Sequence, residues 1–138
     1  MKTLVTFWSG TGNTEKMAEC IAQGIGAADI THIGSISEDK MLEYDKIAFG
    51  CPSMGAEVLE EDEFEPKFAA IENQLNGKKV ALFGSYGWGD GEWMRDWEQR
   101  VKDNGVQLFD GEGLIINETP DDEDCEKCTT FGKDFAAF

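Results

Sequence analysis

LVTFWSGTGNT, residues 4–14, is an apolar run that breaks into two glycines, three hydroxyl side chains and an amide just as a helical pattern begins. A strand that turns directly into a helix aims the unpaired N–H groups of the helix's first turn at one point, which suits an anion. Gly10 and Gly12 let the backbone curl closely around a ligand, while Ser9, Thr11, Asn13 and Thr14 can donate hydrogen bonds from their side chains. No Gly-Lys-Ser/Thr follows, so this is not a nucleoside-triphosphate loop, and the third glycine of a dinucleotide fingerprint would fall at Glu15. On these residues alone, a serine- and threonine-rich turn with a good helix cap is an equal alternative.

Outward from this stretch, short apolar runs alternate with helical patterns. Thr3–Trp8, Ile30–Ile33, Lys46–Gly50, Val80–Gly84 and Leu114–Asn117 read as strands. Helical spacing marks Thr14–Ile25, Phe64–Leu75, Glu92–Val101 (with Trp93, Met94, Trp97 and Val101 on one face) and a closing helix over Asp124–Phe138. Five strands alternating with helices imply an α/β fold, an open parallel sheet covered on both faces. Ligands bind such sheets beyond the carboxyl ends of the strands, which directs attention to the residues after 8, 50, 84 and 117.

The 138 residues have the length of one domain, residues 1–138. The balance of 12 Lys and Arg against 28 Asp and Glu, a formal charge of −16, argues against nucleic acid and anionic membrane surfaces as partners. It favours basic partners met through long-range steering. Leu4–Trp8 is too short for the apolar core of a signal peptide, so the expected compartment is the cytoplasm. Cys20, Cys51, Cys125 and Cys128 are accordingly expected as free thiols, with Cys125 and Cys128 a structural pair. His32 is expected to lie far from every candidate loop.

The loop after the third strand is Cys51-Pro52-Ser53-Met54-Gly55-Ala56-Glu57, and the loop after the fourth is Ser85-Tyr86-Gly87-Trp88-Gly89-Asp90-Gly91. Glycines around Trp88 would let the backbone face a flat ligand while the indole stacks on it, with Met54 across the same crevice. A tryptophan that merely anchors a glycine-rich turn is the alternative.

With these three loops in view, the sequence closely resembles the short-chain flavodoxins, small FMN-containing electron carriers, nearly from end to end. The resemblance is carried by Trp8–Thr14, by Gly50-Cys51-Pro52-Ser53-Met54-Gly55 and by Leu82–Gly89, extended by Glu92-Trp93-Met94. It implies a three-layer sandwich with a five-stranded parallel sheet of order 2-1-3-4-5 and non-covalent FMN at the switch point, which is the flavodoxin topology. By this resemblance Ser9, Thr11, Asn13, Thr14 and the loop amides hold the FMN phosphate, and Pro52 and Ser53 lie alongside. Ser85 and Asn117 reach the ribityl chain. Met54 covers the inner flavin face and Trp88 the outer. Glu57 accepts from the pyrimidine edge, near the amides of Gly87 and Gly89 and beside Tyr86. The Gly55–Ala56 peptide turns over to hydrogen-bond flavin N5 in the semiquinone.

The expected function is low-potential one-electron transfer, cycling between semiquinone and hydroquinone, by a monomer that is not an enzyme. Its partners would be redox proteins with basic docking faces, flavin or iron–sulfur oxidoreductases. An FMN-dependent NAD(P)H:quinone-type reductase on the same scaffold is the alternative, opposed by the capping of both ring faces. A phosphoacceptor domain would need acidic residues after strands one and three, where Trp8-Ser9 and Cys51-Pro52 stand.

Overall fold

Side chains that alternate along short strands bury both faces of a central sheet. In the computed structural model, which describes residues 2–138, strand β1 (Thr3–Phe7) is buried at every position. Leu4 joins one apolar cluster with Ile47, Phe49, Val80 and Leu82, whereas Val5 and Phe7 join another with Ala48, Ala81 and Phe83. Burial on both faces is the mark of a parallel sheet covered by helices.

The remaining strands are β2 (Ala28–His32), β3 (Lys46–Gly50), β4 (Lys79–Tyr86), β5 (Gln107–Leu108) and β6 (Leu114–Asn117). All pairings are parallel, in the order β2-β1-β3-β4-β5, with β6 also on β4. This is the expected flavodoxin-like topology with its last strand divided. β5 pairs with Lys79 and Val80 at the start of β4, and β6 pairs with Phe83 to Tyr86 at its end. A 3-10 turn at Phe109–Gly111, with Asp110 at φ 66°, separates the two. The two residues of β5 are too few to show a period in the sequence, so only β6 was legible there.

Helices α1 (Asn13–Ile25) and α5 (Asp122–Ala136) bear the buried residues of one cluster. The short α2 (Glu38–Met41), α3 (Phe64–Ile71) and α4 (Glu92–Asp103) supply the other. The helix expected over Phe64–Leu75 ends as α3 at Ile71 and continues as a 3-10 turn, Glu72–Gln74. α5 opens with a capping box: Asp121 accepts from the Asp124 amide and Asp124 from the Asp121 amide. Against α1, α5 approaches backbone to backbone. A Cβ on Gly132 would lie 2.1 Å from the Ile21 oxygen, and one on Gly24 would lie 2.0 Å from the Thr129 oxygen.

That close approach corrects the expectation of four free thiols. Cys20 on α1 and Cys125 on α5 form a disulfide, with Cα atoms 5.7 Å apart. Cys125 and Cys128 are therefore not a pair. Cys128 is a buried thiol in the cluster beneath α5, and burial pushes it up to about 12. Cys51 is also a buried thiol, raised by burial.

The bridge spans 105 residues, a separation at which a cross-link restricts the unfolded chain by up to about 5 kcal/mol. Cys20→Ser is expected to lower the melting temperature by roughly 10 °C. Reductant should lower the wild type to the same value and leave the variant unmoved, as read by thermal melts with and without a thiol.

Candidate cofactor site

Backbone pairing does not stop at the strand ends. Trp8 N–H donates to Gly50 O at 3.0 Å, Cys51 N–H to Phe83 O at 3.1 Å, Ser53 N–H to Ser85 O at 3.0 Å and Glu118 N–H to Tyr86 O at 2.7 Å. The loops after β1, β3, β4 and β6 therefore rise side by side at the carboxyl edge and enclose a cleft of about 400 Å³.

At one end of the cleft lies the loop that enters α1. Ser9 Oγ accepts from the amides of Gly12 (3.1 Å) and Glu15 (3.2 Å), which curls the loop on itself. Gly12 stands before the helix at φ 98° with no side chain to cap it, so Ser9 and Thr11 cap it instead, accepting from the first-turn amides of Glu15 and Asn13 (3.4 Å). Thr14 Oγ1 and Ser85 Oγ share a 2.7 Å hydrogen bond, joining the first loop to the third. Hydroxyls, an asparagine amide and the first turn of α1 thus border one volume.

At the other end, Met54 and Val58 exchange two backbone hydrogen bonds of 2.9 and 3.0 Å and close a hairpin with Gly55, Ala56 and Glu57 at its tip. Gly55 has φ 48° and Glu57 φ 55°. The Glu57 carboxylate accepts from the Glu92 amide at 3.0 Å, so it supplies the cap that α4 lacks from its own N-cap residue, Gly91. Arg95 holds the adjoining loop, donating to the Asp90 carbonyl and to its carboxylate, both at 2.9 Å. These bonds to Arg95 keep the Asp90 carboxyl below the usual carboxylate range. Trp88, on that loop, is 64% exposed.

Of the expected site residues, Ser9, Gly10, Thr11, Asn13, Thr14, Pro52, Ser53, Met54, Ser85, Tyr86 and Gly87 line the cleft. Gly12, Gly55, Ala56, Glu57, Trp88, Gly89 and Asn117 stand outside its lining. Asn117 Nδ2 instead donates to the Tyr86 carbonyl at 3.2 Å, bracing β6 against β4. Three lining residues were missed: Trp8, Glu118 and Thr119. Their signal was positional, since each adjoins a strand end at which a ligand is expected. His32 does not lie far from the loops. Its ring is 5.5 Å from Phe7 and 6.5 Å from Trp8, and its Nδ1 accepts from the Gly34 amide.

Beside the hairpin, Glu60 is 5% exposed and its carboxylate accepts from the amides of Asp62, Glu63 and Phe64, each at 2.8 Å. Burial pulls its pKa upward, but the three amides outweigh that and hold it below the ordinary 4.5.

Among the described residues, the sole charged side chain lining the cleft is Glu118. Neutral donors and a helix end are chemistry for a phosphate monoester, and Met54 and Tyr86 border room for a flat ring. The donor set therefore fits FMN. Fold and cleft together define a mononucleotide-binding α/β protein with its site at the topological switch point.

Comparison with known proteins makes this specific. The Flavodoxin family model matches residues 5–132. A flavodoxin of Clostridium beijerinckii is 48% identical over 136 residues, covering 96% of this chain and 97% of its own. A flavodoxin of Megasphaera elsdenii is 42% identical over 133 residues, 94% of each chain. The solution structure of two-electron reduced M. elsdenii flavodoxin matches with a TM-score of 0.88 at 41% identity, over 99% of both chains. The chain belongs to the flavodoxin family, non-enzymatic electron carriers that bind FMN non-covalently. These relatives lend no support to the reductase alternative.

Because the folded Glu60 carboxyl titrates below its unfolded value, its contribution is complete above about pH 4.5 and is lost as pH falls through the folded pKa. Glu60→Gln places an amide NH₂ against backbone donors. It is expected to lower the melting temperature by several degrees at pH 7, a gap that narrows below about pH 4. Melts across pH 3–7 check this.

Proposed function

We propose that this chain is a low-potential one-electron carrier whose cleft holds FMN with the phosphate in the 9–14 loop and the ring between Met54 and Trp88. The observation that carries the reading is the donor set: a cleft of hydroxyls, amides and a helix N-terminus with no cation among the described residues of its lining. Ser9, Thr11, Asn13, Thr14 and loop amides would hold the phosphate, and Ser85 the ribityl chain, with Asn117 close by. Glu57 would accept from the pyrimidine edge while its capping of α4 keeps the carboxylate in place. The amides of Gly87 and Gly89 would donate at the same edge.

Bound FMN supplies the one-electron chemistry; the chain supplies orientation and electrostatics. The Gly55–Ala56 peptide sits at the tip of a hairpin closed by Met54 and Val58, and a Cβ at Gly55 would meet nothing within 4 Å. That tip is free to turn its carbonyl toward a ring nitrogen that gains a proton. Carboxylates around the ring edge oppose added negative charge. One at ~10 Å costs about 1.7 kcal/mol at an effective dielectric of about 20, roughly 70 mV for one electron before screening.

Partners are redox proteins with basic docking faces, flavin or iron–sulfur oxidoreductases. Trp88 and Val58, 64% and 41% exposed amid acidic residues, offer them an apolar contact at the ring edge. The carrier works as a cytoplasmic monomer on this reading. No helix among the described residues is long and apolar enough to cross a membrane. In a reducing cytoplasm the Cys20–Cys125 pair would stand as two thiols.

An anaerobic reductive titration followed by visible absorbance tests the reading. One FMN per chain and two resolved one-electron steps, the second strongly negative, are expected. Direct two-electron bleaching by NAD(P)H alone would overturn it. Gly55→Ala, which puts a Cβ on a residue at φ 48°, is expected to narrow the gap between the two potentials by tens of millivolts.

A further inference from the structure

We propose that Glu63 is a positioning residue for the phosphate end of the cleft, acting through the indole of Trp8. The proposal rests on the placement of the FMN phosphate in the 9–14 loop.

Glu63 belongs to the acidic segment 57–65, yet its carboxylate is not a free rim charge. Trp8 Nε1–H donates to Glu63 Oε1 at 3.1 Å across 55 positions of sequence. The other oxygen packs against Gly34, where an added Cβ would lie 2.5 Å from Oε2. The backbone of Glu63 is itself fixed, because its amide donates to the buried Glu60 carboxylate at 2.8 Å. Glu63 therefore presents an oriented acceptor to the indole.

The indole carries that orientation onward. It lines the cleft and lies over Gly10, where an added Cβ would come 2.9 Å from Trp8 Cη2. His32 flanks its ring at 6.5 Å. Among the described residues, this is the one side-chain hydrogen bond that joins segment 57–63 to segment 8–14. Freed from Glu63, the indole can rotate off Gly10, and the loop loses the wall that holds its curl. A carboxylate acting only through its charge would do the reverse, since it repels a phosphate dianion and its removal would tighten binding. The sign of the effect separates the two roles.

The test is fluorescence titration of the apoprotein with FMN and, separately, with riboflavin, which lacks the phosphate. Glu63→Ala and Trp8→Phe are each expected to weaken FMN roughly tenfold, the scale of one hydrogen bond to a charged acceptor, and to leave riboflavin unchanged. The double variant should be no weaker than either single one. Glu63→Gln, whose amide oxygen still accepts, should stay within about threefold of the wild type. Tighter FMN binding by Glu63→Ala, equal loss of both flavins, or additive single effects would each overturn the proposal and leave the phosphate placement standing. A wild type that holds riboflavin as tightly as FMN would overturn the placement and this proposal with it.

Discussion

Four backbone hydrogen bonds beyond the strand ends, Trp8 to Gly50, Cys51 to Phe83, Ser53 to Ser85 and Glu118 to Tyr86, set the geometry of the binding edge. The parallel register ends β1 and β3 level at Phe7 and Gly50, opposite Phe83, while β4 and β6 run on together to Tyr86 and Asn117, so the chain that follows each strand still has a neighbour to pair with. A loop that leaves its strand early would lose its partner and expose unpaired groups near the core. The three chemical loops are therefore held at fixed spacing by the sheet, and their side chains act on a frame they do not build. The Thr14–Ser85 hydroxyl contact of 2.7 Å is a consequence of this register.

A dianion held by neutral donors differs physically from one held by lysine. Dipoles fixed in a curled loop need little reorganisation when the ligand arrives, and they leave the acidic character of the chain intact. A cation in the cleft would instead offset nearby negative charge, the charge that a low-potential carrier needs around its ring. The sparing of basic residues in the 9–14 loop and the formal charge of −16 are parts of one electrostatic arrangement.

Much of this was legible in the sequence, and what was not has identifiable causes. Lys46–Gly50 and Leu114–Asn117 coincide with strands because their apolar runs are bounded by polar turns. The 9–14 loop was legible because glycine and hydroxyl residues stand between a strand and a helix with no intervening spacer. The Cys20–Cys125 bridge was hidden, since nothing local relates residues 105 apart; only the glycine contacts of α1 and α5 bring them within reach. Trp8 read as the end of a strand, and its second role as a wall of the cleft depends on the side-chain direction that β1 imposes. His32 was misplaced for a related reason: its proximity to Trp8 follows from the β1–β2 register, which pairs it with Phe7.

The acidic segment 57–65 shows why a charge count overstates an electrostatic effect. Glu60 is buried and spends its charge on three amides at the start of α3. Glu65 forms a bidentate pair with Arg100 at 2.7 Å, and Glu72 engages the same guanidinium. Glu63 is tied to Trp8 and Glu57 to the amide of Glu92. Glu61 and Asp62 are left facing solvent without a basic partner among the described residues. Six carboxylates within nine residues are thus divided into a helix cap, an interhelical clamp, two oriented acceptors and a solvated pair. An ion-paired or amide-bound carboxylate contributes less field at a distance than a bare one, because its partners oppose it. On the proposed placement of the ring, the charge felt at its edge is accordingly smaller than a count of carboxylates suggests, and it is concentrated at the hairpin, where Glu57 sits beside the loop that carries Trp88.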